Sequence, residues 1–197
     1  MSDMLTGRAR RVLELANQEA QRLGLRYVGA EHILLGILEE GNGIGADVLK
    51  NLGLNLNKAK EDIESKVATP GAEAAKRFVE AKDAFARAVE ESQALGHGWV
   101  GTEHLLLGLL QEGTVVAQVL KDQGLGLAQV RDAVLEILNP ATLVAQGISG
   151  GQIPRESPPV NEPESGAQFW EVIAAWAHLS RESRNRIMAI IRETKRS

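Results

Sequence analysis

The sequence predicts an all-α protein: two pseudo-symmetric four-helix repeats, eight helices in all, then a linker and a C-terminal helical extension. Three observations carry that reading. One phrase is said twice: Val28-Gly29-Ala30-Glu31-His32-Ile33-Leu34-Leu35-Gly36-Ile37-Leu38 returns 72 residues later as Val100-Gly101-Thr102-Glu103-His104-Leu105-Leu106-Leu107-Gly108-Leu109-Leu110. A repeated unit repeats whatever surface it presents, so a site built on the phrase is expected twice. Around it, apolar residues recur at helical spacing and glycines close each run. Finally, only 4% of the residues are aromatic against 44% hydrophobic, so the core is mostly Leu, Val, Ile and Ala, a mix that suits helices.

Taken in order, residues 5–67 make the first repeat. A helix is expected over 8–23, with Ala9, Val12, Leu13, Ala16, Ala20 and Leu23 on one face and Gly24 as its stop. A second runs over 31–39 and breaks at Glu40-Gly41-Asn42-Gly43. A third covers 44–52 and stops at Gly53. A fourth covers 57–67, with Leu56, Ala59, Ile63 and Val67 aligned. Thr69-Pro70-Gly71 separates the repeats. Residues 72–138 follow the same plan: a longer helix over 72–95, a turn at Gly96-His97-Gly98, a helix over 103–111 with Thr102 as its N-cap, then helices over 115–123 and 127–138. Residues 1–139 are thus one double-repeat domain. A single repeat hardly closes a core, whereas two packed together do.

Residues 140–166 hold five of the six prolines and read as an extended linker. Residues 167–197 form the tail. Phe169 to Ala177 is apolar, and Ser180 is placed to cap a helix from Arg181 to Thr194 striped with Ile187, Ile190 and Ile191. The tail carries six Lys and Arg against three Glu.

Composition excludes several classes. The absence of Cys removes disulfides and thiolate chemistry. A net charge of −4 gives the whole chain no pull on nucleic acid. No run of 18 apolar residues calls for a membrane span, and the N-terminus lacks the apolar stretch of a signal peptide, so a cytoplasmic location is expected. No phosphate-binding glycine loop and no nucleophile elbow occurs, and no residues assemble into an acid–base or nucleophilic set. The chain is therefore expected not to be an enzyme and to need no cofactor.

Glu31 and Glu103 fall in the first turn of their helices. The helix dipole alone favours an acid there, by up to about 1 kcal/mol. A second reading follows from the apolar helices behind them: burying those helices leaves a carboxylate at the rim of a groove. A carboxylate accepts a guanidinium in a two-pronged bond, and the amides of a helix start hold an anion. One ligand with both a guanidinium and a phosphate satisfies both features. His32 and His104 lack the spacing of zinc ligands; they are expected to tie each helix start to a neighbouring carbonyl rather than to hold a metal.

These residues resemble the N-terminal repeat domain of Clp-type protein unfoldases, the ClpC branch most of all. The signature is the paired Gly-Thr-Glu-His-Ile/Leu-Leu-Leu-Gly-Leu phrase with its Glu-Gly turn, here at 29–38 and 101–110. The opening Arg8-Ala9-Arg10-Arg11-Val12-Leu13 fits as well. The resemblance covers residues 5–138. It implies an eight-helix module that recruits substrates and adaptors to an ATPase ring feeding a peptidase, and that in Gram-positive members binds phosphorylated arginine. It also implies that Glu31 and Glu103 contact the guanidinium, with Thr102 near the phosphate. Two departures stand out. Ala30 replaces the usual Thr, so the first site lacks a hydroxyl. No ATPase motif follows residue 138 and the tail is not the family's usual continuation, which favours a free-standing relative over a fragment.

The leading expectation is a non-enzymatic module that binds a protein: a Clp complex, an adaptor or a substrate, with phosphoarginine as a candidate ligand. The tail then docks on the repeats or forms a homodimer. The alternative is a regulator whose basic helix, with Arg181, Arg184, Arg186 and Arg192, contacts nucleic acid or another anionic surface.

Overall fold

The computed structural model describes residues 4–25, 27–67 and 72–138. Among these lie eight helices: α1 (Gly7–Arg22), α2 (Ala30–Glu40), α3 (Ile44–Asn51), α4 (Leu56–Val67), α5 (Ala72–Ala94), α6 (Thr102–Leu109), α7 (Val115–Asp122) and α8 (Leu127–Leu138). The all-α, two-repeat expectation holds, with each helix within a residue or two of its expected bounds. The expected linker at 140–166 and tail at 167–197, with its tryptophans and basic helix, lie outside the described residues.

Local chemistry explains the ends. Thr6 caps α1, its hydroxyl accepting the Ala9 amide at 3.1 Å, and Thr114 caps α7 by accepting the Ala117 amide at 3.1 Å. Six glycines take left-handed backbone conformations, and they pair off between the repeats: Gly24 with Gly96, Gly41 with Gly113, Gly53 with Gly124. Five of them end a helix, and Gly113 sits in the turn between α6 and α7, each where a side chain is disfavoured.

The contacts obey an internal dyad. α1 packs on α2 as α5 packs on α6, and these are the most extensive pairings. α2 meets α7 as α3 meets α6, and α2 meets α6 across the axis. Every residue of α2 from Ala30 to Leu38 is buried, and so is every residue of α6. The two phrase-bearing helices are therefore the core, wrapped by the amphipathic α1, α4, α5 and α8.

One asymmetry matters for the site. α5 has 23 residues and α1 has 16, because α5 begins earlier relative to the repeat. In its place the first repeat offers an extended segment. Leu5 makes a parallel bridge to Val100, with the Thr6 amide donating to the Val100 carbonyl at 3.1 Å. No described helix is long and apolar enough to cross a membrane.

Candidate functional site

Both helix starts are built alike. Gly29 and Gly101 are the N-caps, in extended conformation. The histidine three residues on folds back: His32 Nδ1 accepts the Gly29 amide at 2.9 Å, and His104 Nδ1 accepts the Gly101 amide at 2.9 Å. The expected tie to a carbonyl is thus corrected. The ring acts as an acceptor, the role a Glu plays in a capping box. With Nδ1 accepting, the neutral ring carries its proton on Nε2. Burial favours that neutral form and pushes both imidazoles down to about 4.

The Glu between them turns onto the same cap. A Cβ on Gly29 would collide with the Glu31 carboxylate, and one on Gly101 with that of Glu103. Any side chain at the cap would have to displace the acid that lies over it. In each repeat the chain's own carboxylate sits against its own amide at the helix start, the position an external anion would take.

Thr102 is also corrected. It is the first residue of α6 and not its cap, and its hydroxyl accepts the Gly45 amide of α3 at 3.3 Å while lying 3.5 Å from a Glu103 oxygen. The side chain is fully buried at the junction of the repeats. It steadies Glu103 from behind.

Beyond this shared frame the two sites part. Glu31 has no exposure at all, and neither of its oxygens has a hydrogen-bond partner among the described residues. Burial pushes its carboxyl up to about 7; its own nearby amide pulls it back most, the Arg77 charge less, and Glu80 pushes it up. The expected position at the rim of a groove does not describe Glu31. Tyr27 stands next to it, edge-on to the neighbouring His32 with ring centres 6.3 Å apart, and its hydroxyl accepts from Arg77 at 3.3 Å. The His32 Nε2 hydrogen also has no partner among the described residues.

At the second start, Glu103 keeps 8% exposure, and burial again raises its carboxyl, offset by its own amide and by the Thr102 hydroxyl. The repeat offset puts His97 where the first repeat has Leu25, and Trp99 where it has Tyr27. His97 Nδ1 lies 2.8 Å from His104 Nε2, so the His104 proton has an acceptor. Trp99 is 49% exposed, the one large hydrophobic so exposed among the described residues. Its loop is held by the Ser92 hydroxyl, which lies 3.2 Å from the His97 carbonyl and 2.9 Å from that of Trp99. An exposed indole on a held loop four residues before a carboxylate offers the two groups that suit a flat cation: a ring to stack on and an acid to accept its N–H groups.

His97, Glu103 and His104 bring one donor atom each within 4.8 Å of one another. Both His104 nitrogens are engaged in hydrogen bonds, however. Binding a cation through Nε2 would move the proton to Nδ1, against the Gly101 amide. The trio therefore suits a hydrogen-bond chain better than a metal.

Sequence reasoning singled out Glu31, Glu103 and Thr102, and the structure places all three at the two helix starts. It passed over Tyr27, His97, Trp99 and Arg77. The first three were detectable by asking where the repeats differ instead of where they agree. Arg77 lies in the extra turns of α5 and has no such signal.

Comparison with known proteins agrees with this architecture. The family model described as "Clp repeat (R) N-terminal domain" matches residues 4–77 and again 78–160, so the chain belongs to that family. It is 39% identical over 173 residues to the chloroplastic chaperone protein ClpC2 of Oryza sativa subsp. japonica, covering 82% of this chain and 18% of that protein. It is 40% identical over 172 residues to the ATP-dependent Clp protease ATP-binding subunit ClpA homolog of Guillardia theta, covering 82% and 20%. The chain thus spans about a fifth of the length of these relatives. Among solved structures, the N-terminal domain of the caseinolytic protease associated chaperone ClpD from Arabidopsis thaliana superposes with a TM-score of 0.57 at 25% identity, over 68% of this chain and 94% of that one.

Proposed function

We propose that residues 4–138 are a non-catalytic docking module that recruits a protein partner, either a Clp ATPase–protease complex or an adaptor or substrate destined for one. The second helix start is its recognition point for arginine phosphate. The carrying observation is Glu103: a nearly buried carboxylate at the start of α6, still reachable from outside, flanked by exposed Trp99.

The mechanism is an exchange. At rest the Glu103 carboxylate occupies the helix start. An incoming phosphoarginine offers a guanidinium to the acid and a phosphate to the amides the acid vacates, so each partner replaces the other's stand-in. Thr102 acts as a positioning residue through its bond to Glu103. No side chain here supplies a nucleophile, and membership in a family of ATPase N-terminal domains supports binding over turnover.

Titration of free phosphoarginine by calorimetry tests this. Wild type should bind, and Glu103→Gln should weaken binding at least about tenfold, the loss expected for a charge-assisted bond of about 1.5–3 kcal/mol. Absence of heat at millimolar ligand, with no chemical-shift change in α6, would refute the ligand assignment. Steady phosphate release would refute the non-catalytic reading.

A further inference from the structure

The two helix starts differ in what faces them. At the first, α5 begins two turns early and brings Arg77 inward. This arginine is 3% exposed. Its guanidinium donates to the Val67 carbonyl at 3.2 Å, to the Lys66 carbonyl at 3.2 Å and to the Tyr27 hydroxyl at 3.3 Å, while its Nε has no partner. No hydrogen bond joins it to Glu31; it reaches that side of the helix start through Tyr27, which packs edge-on to His32, and its charge favours the ionised Glu31. At the second start the same offset gives Leu5, an isobutyl group on the segment bridged to Val100.

From these observations we infer that Arg77 is an internal occupant of the first site: the chain's own guanidinium fills the space beside Tyr27 and Glu31, and only the second start is open to a partner. The inference about Arg77 stands by itself; the count of one open site rests on the reading under Proposed function.

The parts match. At each start an aromatic residue, Tyr27 or Trp99, precedes the cap glycine by two positions, and a buried acid follows that glycine by two. In the first repeat a guanidinium is present, the aromatic is drawn onto it and the acid is sealed from water. In the second none is present among the described residues, and the indole is half exposed. A buried carboxylate with no hydrogen bond among the described residues is costly, and a buried cation nearby lessens that cost. Arg77 also holds the last carbonyls of α4, which lack partners within the helix. One side chain thus closes a helix end and a binding site together.

Chemical rescue separates those two roles. Arg77→Ala leaves a guanidinium-shaped gap. Methylguanidinium at millimolar concentration should raise the Tm of this variant by several degrees over methylammonium at equal ionic strength, and should leave wild type unmoved. In Arg77→Ala/Glu31→Gln the gain should shrink to a small fraction. Equal rescue in both variants, or none in the first, overturns the inference, since Arg77 is then a helix cap alone or no occupant at all.

Should Arg77→Ala fail to fold, the unaltered protein decides. The 15Nε resonance of Arg77 should follow the Glu31 carboxyl through a pH titration, and Glu31→Gln should flatten it. The other groups facing this space, His32 from α2, Tyr27 from the loop and Glu80 from α5, remain in that variant. An Arg77 resonance indifferent to the substitution overturns the inference. Calorimetry adds the count. One phosphoarginine per chain, lost in Glu103→Gln, is expected, and two equal sites in wild type overturn it. No binding at all refutes the ligand reading and the count together, while rescue still decides the role of Arg77.

Discussion

Glu31 shows what a buried acid does to stability. Its folded carboxyl titrates near 7, against an ordinary value of 4.5. Between those pH values the folded chain holds a proton that the unfolded chain has lost. The stability contributed by this group is therefore complete below 4.5 and drains away as pH rises to about 7. Gln in its place has no proton to lose. The Tm difference between Glu31→Gln and wild type should be smallest near pH 4.5 and grow in favour of Gln up to pH 7.5, toward a ceiling of about 3 kcal/mol. His32 and His104 titrate the other way, because their folded values fall to about 4 and their contribution is lost as pH drops below 6.5. Both remain in the variant, so their effect cancels in the comparison. A Tm difference that does not change with pH would mean that Glu31 reaches water.

At the scale of helices, the glycine in each repeated phrase sets how closely two helices cross. A Cβ on Gly36 would collide with the Val12 carbonyl oxygen of α1, and one on Gly108 with the Ala84 carbonyl oxygen of α5. Backbone cannot step aside as a side-chain tip can. Gly36→Ala and Gly108→Ala should each cost about 3 kcal/mol in denaturant unfolding, at the upper end of overpacking penalties. Gly98→Ala, with open space around it, should be near neutral. Equal effects at all three would remove the close-crossing argument. The same helices show what was legible beforehand. Periodicity and glycine stops placed all eight, because a two-repeat helical array has local punctuation. Glu31 and Glu103 were legible through the repeat. Burial of Glu31 was not, because it depends on two extra turns of α5 whose direction no local pattern reveals. Thr102 was misplaced as a cap because its hydroxyl bonds 57 residues away, to Gly45.

Across the whole molecule, the repeats are joined by an exchange of bulk about the dyad. Where α6 meets α3, Thr102 is large and its neighbours Gly43 and Gly45 are small. Where α2 meets α7, Ala30 is small, and the positions matching those glycines are Thr114 and Val116. The Ala at position 30 is thus the small member of a complementary pair. A double-mutant cycle reads this junction directly. A Cβ on Gly43 would meet only side-chain atoms of Thr102, whereas one on Gly45 would lie 2.7 Å from the Thr102 carbonyl oxygen. Thr102→Ala alone should cost about 1–2 kcal/mol, since it strands the Gly45 amide. Gly43→Ala alone should cost a similar amount through crowding. Together they should cost less than their sum by about 1 kcal/mol, because the smaller side chain relieves the clash. Gly45→Ala should show no such relief, because its obstacle is backbone that Thr102→Ala leaves in place. Strict additivity at Gly43, measured by denaturant midpoint at unchanged m, would mean that the repeats are held elsewhere and that Thr102 is free to serve a ligand alone.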